Sequence, residues 1–270
     1  MNKSLIIVKN NLYLNFRFRI GLLSLFIIFI LFLGVPPLHS EYIPLKTGSY
    51  WIFTIYNRVG TFEVEDSATL IIVGERDVEG KRCTVLEARV GERLLTSKNI
   101  FRTFFYDNKH GIITVNGFES EGGGTIIHRE EYKSGYIQYK YPFNVGMSWT
   151  ISSGKGLDPS AVLLLNTKMD DVDDDGANDS VDINARVKVV GVEDVNVPAG
   201  LFKDCYKILY TYTMKLHCTM FGDINIVVSD TIWLKPYIGV VMEEKVSDWP
   251  EPFSYMEQRT VYKLSKYLIR

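Results

Sequence analysis

From Tyr42 onward, apolar and polar residues alternate with period two in runs of about five to twelve residues, bounded by Gly, Asn or Asp. Such runs are SYWIFTIY (49–56), TLIIVGE (69–75), RCTVLEARV (82–90), GIITVNGF (111–118), TIIHREEY (125–132) and GYIQYKYPF (135–143). The pattern resumes with INARVKVVGV (183–192), YKILYTYTMKL (206–216), INIVVSDTIWL (224–234) and QRTVYKL (258–264). Turn chemistry separates them at Gly80, at Asn108 to Gly111, at the glycines 122–124, at Ser134 and Gly135, and at Gly222 and Asp223. Links this short cannot carry crossover helices, so the strands pair antiparallel in a meander. One face of many strands is polar, as with Tyr136, Gln138 and Lys140. A sheet of that kind curls over its apolar face or packs on a second layer. The single helix candidate is PSAVLLLNTKM after Asp158, with Asp as cap and Pro at the first helical position. The expected fold is therefore all-β: a strongly curved antiparallel meander, half-barrel or barrel-like, with one acidic loop insertion.

That insertion, at about 152–182, divides the meander into blocks of roughly 42–151 and 183–270. Neither block is set off by a Pro-, Gly- or Ser-rich linker, so residues 41–270 read as one β domain. Residues 1–40 differ in kind. Lys3, Lys9, Arg17 and Arg19 precede a charge-free apolar run at 20–35, the order of a basic n-region and an h-region. As a helix the run covers about 24 Å, short of the ~30 Å hydrocarbon core, which favours a signal peptide over a spanning anchor. Cleavage after Ser40 is the expectation and an uncleaved N-terminal anchor the alternative. Both place the remainder outside the cytoplasm: periplasm, cell surface or extracellular space. No cysteine lies near the end of the h-region to accept a lipid.

Removing residues 1–40 leaves 26 basic against 32 acidic residues. An acidic balance disfavours nucleic acid and anionic headgroups as main partners, and leaves membrane contact to the N-terminal segment where it is retained. The cysteines are Cys83, Cys205 and Cys218. On one extended strand Cys205 and Cys218 face opposite ways, so a bridge from Cys83 to either is the favoured pairing, with three buried free thiols as the alternative.

Three segments carry a resemblance: YIPLKTGSYWIF (42–53), VNVPAGLFKDCYKI (195–208) and TIWLKPYIGVV (231–241). Together they resemble a group of exported bacterial proteins of unknown function known as TapB-like. The resemblance implies a curved antiparallel sheet similar to the half-barrels of LolA- and LolB-type lipoprotein carriers, and it brings no catalytic residues. In physical terms, the turn through Pro198, Ala199 and Gly200 sets the entry of Phe202 into the core, and Gly239 permits a bulge or close approach.

The stretch DVDDDGANDSVD (171–182) departs from that group. Carboxylates at alternate positions before a glycine turn converge on a hard cation. Asp171, Asp173 and Asp175, the Ala177 carbonyl, Asp179 and Asp182 form the expected calcium set. Asp at position twelve and strand-like flanks separate it from an EF-hand, and the spacing resembles a single thrombospondin type 3 calcium loop. The alternative is a solvated acidic loop.

No nucleophile elbow, zinc-helix, paired-cysteine or phosphate-loop motif is present. Glu243 and Glu244 are adjacent and would face opposite ways on a strand, so a glycosidase pair needs a partner from elsewhere. The functional expectation is an exported, non-catalytic β protein of the envelope that binds a lipid-like ligand or an envelope protein. In the lipid reading, rings such as Trp51, Phe53, Tyr139, Tyr206, Tyr210 and Trp233 line the cavity; otherwise they fill the core. A calcium-stabilised adhesion module is the second expectation and a hydrolase the third.

Overall fold

The computed structural model describes residues 43–59, 61–78, 80–90, 100–108, 111–122, 125–130, 136–157, 179–251, 254 and 257–270. Among these, the strands are Tyr50–Val59 (β1), Phe62–Val78 (β2), Lys81–Val90 (β3), Ile100–Asn108 (β4), Gly111–Gly122 (β5), Thr125–Glu130 (β6) and Tyr136–Lys140 (β7). They continue with Ser148–Leu157 (β8), Ser180–Val197 (β9), Gly200–Cys218 (β10), Gly222–Lys235 (β11), Gly239–Asp248 (β12) and Gln258–Leu268 (β13). All thirteen belong to one antiparallel sheet ordered β6-β5-β4-β3-β2-β1-β13-β12-β11-β10-β9-β8, with β7 paired to β5. The all-β meander read from the sequence is thus the fold. It consists of two local meanders joined where β1 pairs with β13.

The sheet bends until side chains near its two edges pack on each other, without a ladder closing it among the described residues. Tyr139, Tyr141 and Phe143, in and after β7, pack on Val187, Val189, Ile208 and Tyr210 of β9 and β10. The Trp149 indole of β8 donates to the Ile137 carbonyl of β7 at 3.0 Å. Bulges at Ile52/Phe53, Ile72/Gly74, Lys207/Ile208 and Trp233/Leu234 supply the local kinks that this curvature needs. The bend buries period-two faces: Trp51, Phe53, Ile55 and Asn57 of β1 alternate with partly or fully exposed Ile52, Thr54, Tyr56 and Arg58.

The long β9–β10 hairpin folds back on the body. Its turn residue Ala199 donates to the Leu264 carbonyl at 2.9 Å, and Phe202 enters a core with Phe53, Leu264 and Trp233. Gly239 has φ +99, and a Cβ there would lie 3.5 Å from the Trp51 indole nitrogen. That nitrogen donates to the Ile238 carbonyl at 2.6 Å. Both motif readings, core entry after the 198–200 turn and close approach at Gly239, are realised.

The favoured disulfide is not formed. All three cysteines are free and buried. Cys83 packs with Val85 and Phe104, Cys205 with the Phe53 core, and Cys218 with Leu216 and Ile224, so no two share a cluster. Parity had separated only Cys205 from Cys218; the distance of β3 from β10 across the sheet separates Cys83 as well. Strands β4, β8 and β12 were absent from the ten expected runs. β8 extends to Leu157, into the stretch read as insertion, and pairs with β9, so residues 158–178 link two paired strands. The expected helix after Asp158 lies outside the described residues.

Candidate functional site

Of the expected calcium set, Asp171, Asp173, Asp175 and Ala177 lie outside the described residues; Asp179 and Asp182 lie at the entry to β9. Asp179 is buried and accepts a bond from the Thr219 N–H at 3.3 Å. Asp182 Oδ2 stands 3.5 Å from His217 Nε2, whose Nδ1 is 2.6 Å from Asp223 Oδ1. Lys215 Nζ bonds the other Asp223 oxygen at 2.5 Å, and this bond, followed by His217, holds the Asp223 carboxyl below its ordinary range. The donor set consists of hard oxygens, as calcium requires, and Asp182 is partly exposed. Asp179 is instead engaged with the β10–β11 turn.

A different constellation lies inside the curve. Register aligns Asp230 of β11, Lys245 of β12, Thr260 of β13 and Asn57 of β1 in one cross-strand row. The adjacent row runs Ile232, Glu243, Tyr262 and Ile55. Lys245 contacts Glu243, lies 3.7 Å from Asp230, and sits 5.8 Å from the centre of the Tyr262 ring. Beside them, the Gln258 amide donates to Asn57 Oδ1 at 2.7 Å and to Thr260 Oγ1 at 3.1 Å, and the Thr260 hydroxyl donates to Asn57 Oδ1 at 3.1 Å. These side chains form a buried polar band across four strands.

Two carboxylates share one lysine in that band, so full ionisation would leave a buried negative charge without a partner. Burial pushes the Asp230 carboxyl up to about 6, against the opposing pull of Lys245. Burial and then the Asp230 charge hold Glu243 well above the usual range. The pair therefore retains a proton. The partner that Glu243 lacked in the sequence is thus supplied by Asp230, a convergence of carboxylates that hydrolysis also uses. Asp230 and Glu243 are each 1% exposed.

Sequence reasoning missed this band, although a signal was present. In β11 the alternating buried positions run Ile224, Ile226, Val228, Asp230, Ile232 and Leu234, with Trp233 also buried beside the bulge, so Asp230 occupies a core position of the alternation. Glu243 and Lys245 follow Val241 in the same way.

The reverse face of these strands carries an open groove of about 690 Å³. Tyr56, Val64, Val261 and Met242 form its apolar part; Arg58 of β1 and Arg259 and Lys263 of β13 lie between Glu63 and Glu65 of β2 and Glu244 of β12. Arg259 grips Glu244 Oε1 through Nε at 2.7 Å and Nη2 at 2.6 Å. Lys263 Nζ lies 5.4 Å from the Tyr56 ring centre. Glu243 and Glu244, adjacent in sequence, serve opposite faces, as expected of a strand.

The rings proposed to line a cavity are packed. Trp51, Phe53, Tyr139, Tyr210 and Trp233 are each under 5% exposed. Tyr139 and Tyr210 meet edge to face with centres 6.2 Å apart, and Phe143 stands 5.4 Å from Tyr206.

Residues 150–257 match the model of the DUF3108-like family, a segment running from within β8 to the residue before β13. Among solved structures, the chain is similar to a proposed exported protein with a YmcC-like fold from Bacteroides fragilis NCTC 9343. The two are 14% identical, with 84% of this chain and 99% of that chain covered and a TM-score of 0.39. It is also similar to a proposed lipoprotein from Parabacteroides distasonis ATCC 8503, at 14% identity, the same coverages and a TM-score of 0.42. No curated protein matches the chain.

Proposed function

We propose that this chain is an exported, non-catalytic binding protein of the cell envelope that engages a segment of a protein partner through the groove over β2, β1, β13 and β12. The observation that carries this reading is the contrast between the two faces of the same strands: a packed, buried inner face and an open outer groove. A floor of Tyr56, Val261 and Met242 edged by both signs of charge suits an extended polypeptide, whose own side chains carry both signs. A lipid-like ligand draws less support, because the aromatic side chains that would hold it are already packed against one another. Export rests on the n-region and h-region of residues 1–40.

Photo-crosslinking tests the groove. A benzoylphenylalanine placed at Val261 in the exported chain is expected to give an adduct of defined mass, and one at exposed Lys188 of β9 is not. The adduct should be lost on Tyr56→Ala or Arg259→Glu. Equal crosslinking at both positions, or an adduct indifferent to those changes, would overturn the reading.

Calcium ordering of residues 171–182 is a second part of the proposal, supported by the spacing of Asp171, Asp173, Asp175, the Ala177 carbonyl, Asp179 and Asp182. Millimolar calcium should raise the melting temperature of the wild type and leave Asp171→Asn/Asp173→Asn unmoved. An unchanged melting temperature in both chains would make the stretch a solvated acidic loop.

A further inference from the structure

Net charge conceals a polarity between the two ends of the strands. At the end holding the β9–β10 and β11–β12 turns, Leu201 and Tyr237 are each 60% exposed and Leu268 is 40% exposed. Tyr237 holds φ at +68, a conformation uncommon for a residue with a side chain, at the tip of its turn. Lys46, Lys203, Lys235, Lys266 and Arg270 lie at this same end. Lys235 Nζ donates to the Lys203 carbonyl at 2.8 Å, and the Arg270 N–H donates to Ser49 Oγ at 3.2 Å, which draws β10, β11, β13 and the residues before β1 into one patch. Asp194 and Asp204, joined by a bond from the Asp204 N–H at 3.0 Å, are acids at its edge, while Glu193 pairs with Lys207 and Glu75 and Asp77 of β2 pair with Arg82. The opposite end also exposes apolar side chains, Phe62, Met220 and Phe221, but there acids outnumber cations: Asp182, Asp223, Asp248, Glu251, Glu63 and Glu65 stand against Lys215, which bonds Asp223, and Arg58 and Arg259.

The chain enters at the cationic end. Ile43 is buried beside Val240 and Leu234, next to Gly239. Val35, where the apolar run ends, precedes Ile43 by eight residues, a tether of at most about 28 Å. The ten residues of β1 place the acidic end roughly 33 Å farther on. A chain held in a bilayer by residues 20–35 therefore has its cationic end tethered within about 28 Å of that bilayer, closer than its acidic end needs to come.

We infer that this end docks on an anionic lipid surface, with Leu201, Tyr237 and Leu268 entering the headgroup region and Lys46, Lys203, Lys235 and Lys266 facing lipid phosphates. Aromatic and aliphatic tips among lysines are the chemistry of an interfacial contact, and the acidic end is repelled from the same surface. The inference rests on the exported reading with residues 1–40 retained, and it adds which surface faces the membrane and which faces away.

The full chain, produced with residues 1–40 into nanodiscs of phosphatidylethanolamine and phosphatidylglycerol, provides the test. A nitrobenzoxadiazole probe is attached at Tyr237→Cys, at Leu201→Cys, or at Met220→Cys on the opposite end; the native thiols are buried and do not compete. Quenching by spin-labelled lipid is expected to be at least threefold stronger at 237 and 201 than at 220. The ratio should fall toward one when phosphatidylcholine replaces phosphatidylglycerol or when Lys203→Glu/Lys235→Glu is introduced. Equal quenching at both ends, or stronger quenching at 220, overturns the docking, and a ratio indifferent to lipid charge overturns its anionic character. A chain absent from the disc fraction overturns the retained anchor itself, an outcome visible before any quenching is read.

Discussion

Asp230→Asn tests whether the inner band holds a proton. In the unfolded chain an aspartate titrates near 3.9, whereas burial raises the folded Asp230 carboxyl to about 6. Between those values the folded chain binds a proton that the unfolded chain has released, so stability falls as pH rises through this window. A shift of roughly two units at about 1.4 kcal/mol per unit amounts to ~3 kcal/mol, largest below pH ~4 and lost above pH ~6. Glu243, held higher still, extends the decline above pH ~6 in the same direction. The asparagine removes the titrating group and the like charge beside Glu243, leaving Lys245 beside the Glu243 carboxyl. Guanidinium unfolding at pH 4, 5, 6 and 7, followed by tryptophan fluorescence, should show the wild type losing about 3 kcal/mol relative to the variant between pH ~4 and ~6. Carboxylates elsewhere cancel in this difference. Parallel stability curves for the two chains, or a wild type that gains on the variant as pH rises, would refute a shared buried proton.

Other expectations follow from the fold. Native protein should leave Cys83, Cys205 and Cys218 unreactive toward a water-soluble thiol reagent, and denatured protein should titrate three thiols; an intact mass two hydrogens short of the reduced chain would contradict this. Gly239→Ala should cost about 1–3 kcal/mol, because φ +99 lies where an L side chain is strained; a lowered melting temperature with unchanged circular dichroism is the expected readout. Phe53→Ala, at a site 1% exposed, should cost about 3–5 kcal/mol by transfer and cavity formation, measured as a denaturation midpoint. Lys245→Met should be costly by about 3–5 kcal/mol near neutral pH and less so in acid, where both of its carboxyl partners are protonated.

The sheet was legible because period-two alternation survives wherever one face is buried. It failed where a strand carries charge on both faces. β12 reads Glu243, Glu244, Lys245, with the first and third buried and the second at the groove, and alternation alone does not distinguish such a strand from a loop. β8 was obscured by its serines and glycines. The groove and the band were hidden for another reason: each is assembled by the register of β12, β13, β1 and β2, and two of those strands lie about two hundred residues from the other two along the chain. The thiols follow the same rule, since which cysteines meet depends on sheet order and not on spacing.

The pairing of β1 with β13 also has a kinetic meaning. Thr54 and Ser265, whose hydroxyls meet across this junction at 2.6 Å, are 211 residues apart in the chain, and closing so long a loop carries an entropic term of about 5 kcal/mol from its length alone. Each meander can form from neighbouring hairpins, but the ladder that joins them waits for the last strand to be synthesised. Until then the first meander persists with β1 as an open edge, the kind of edge that recruits wrong partners. Gln258–Leu268 thus ends the period in which the emerging chain is vulnerable to misassembly.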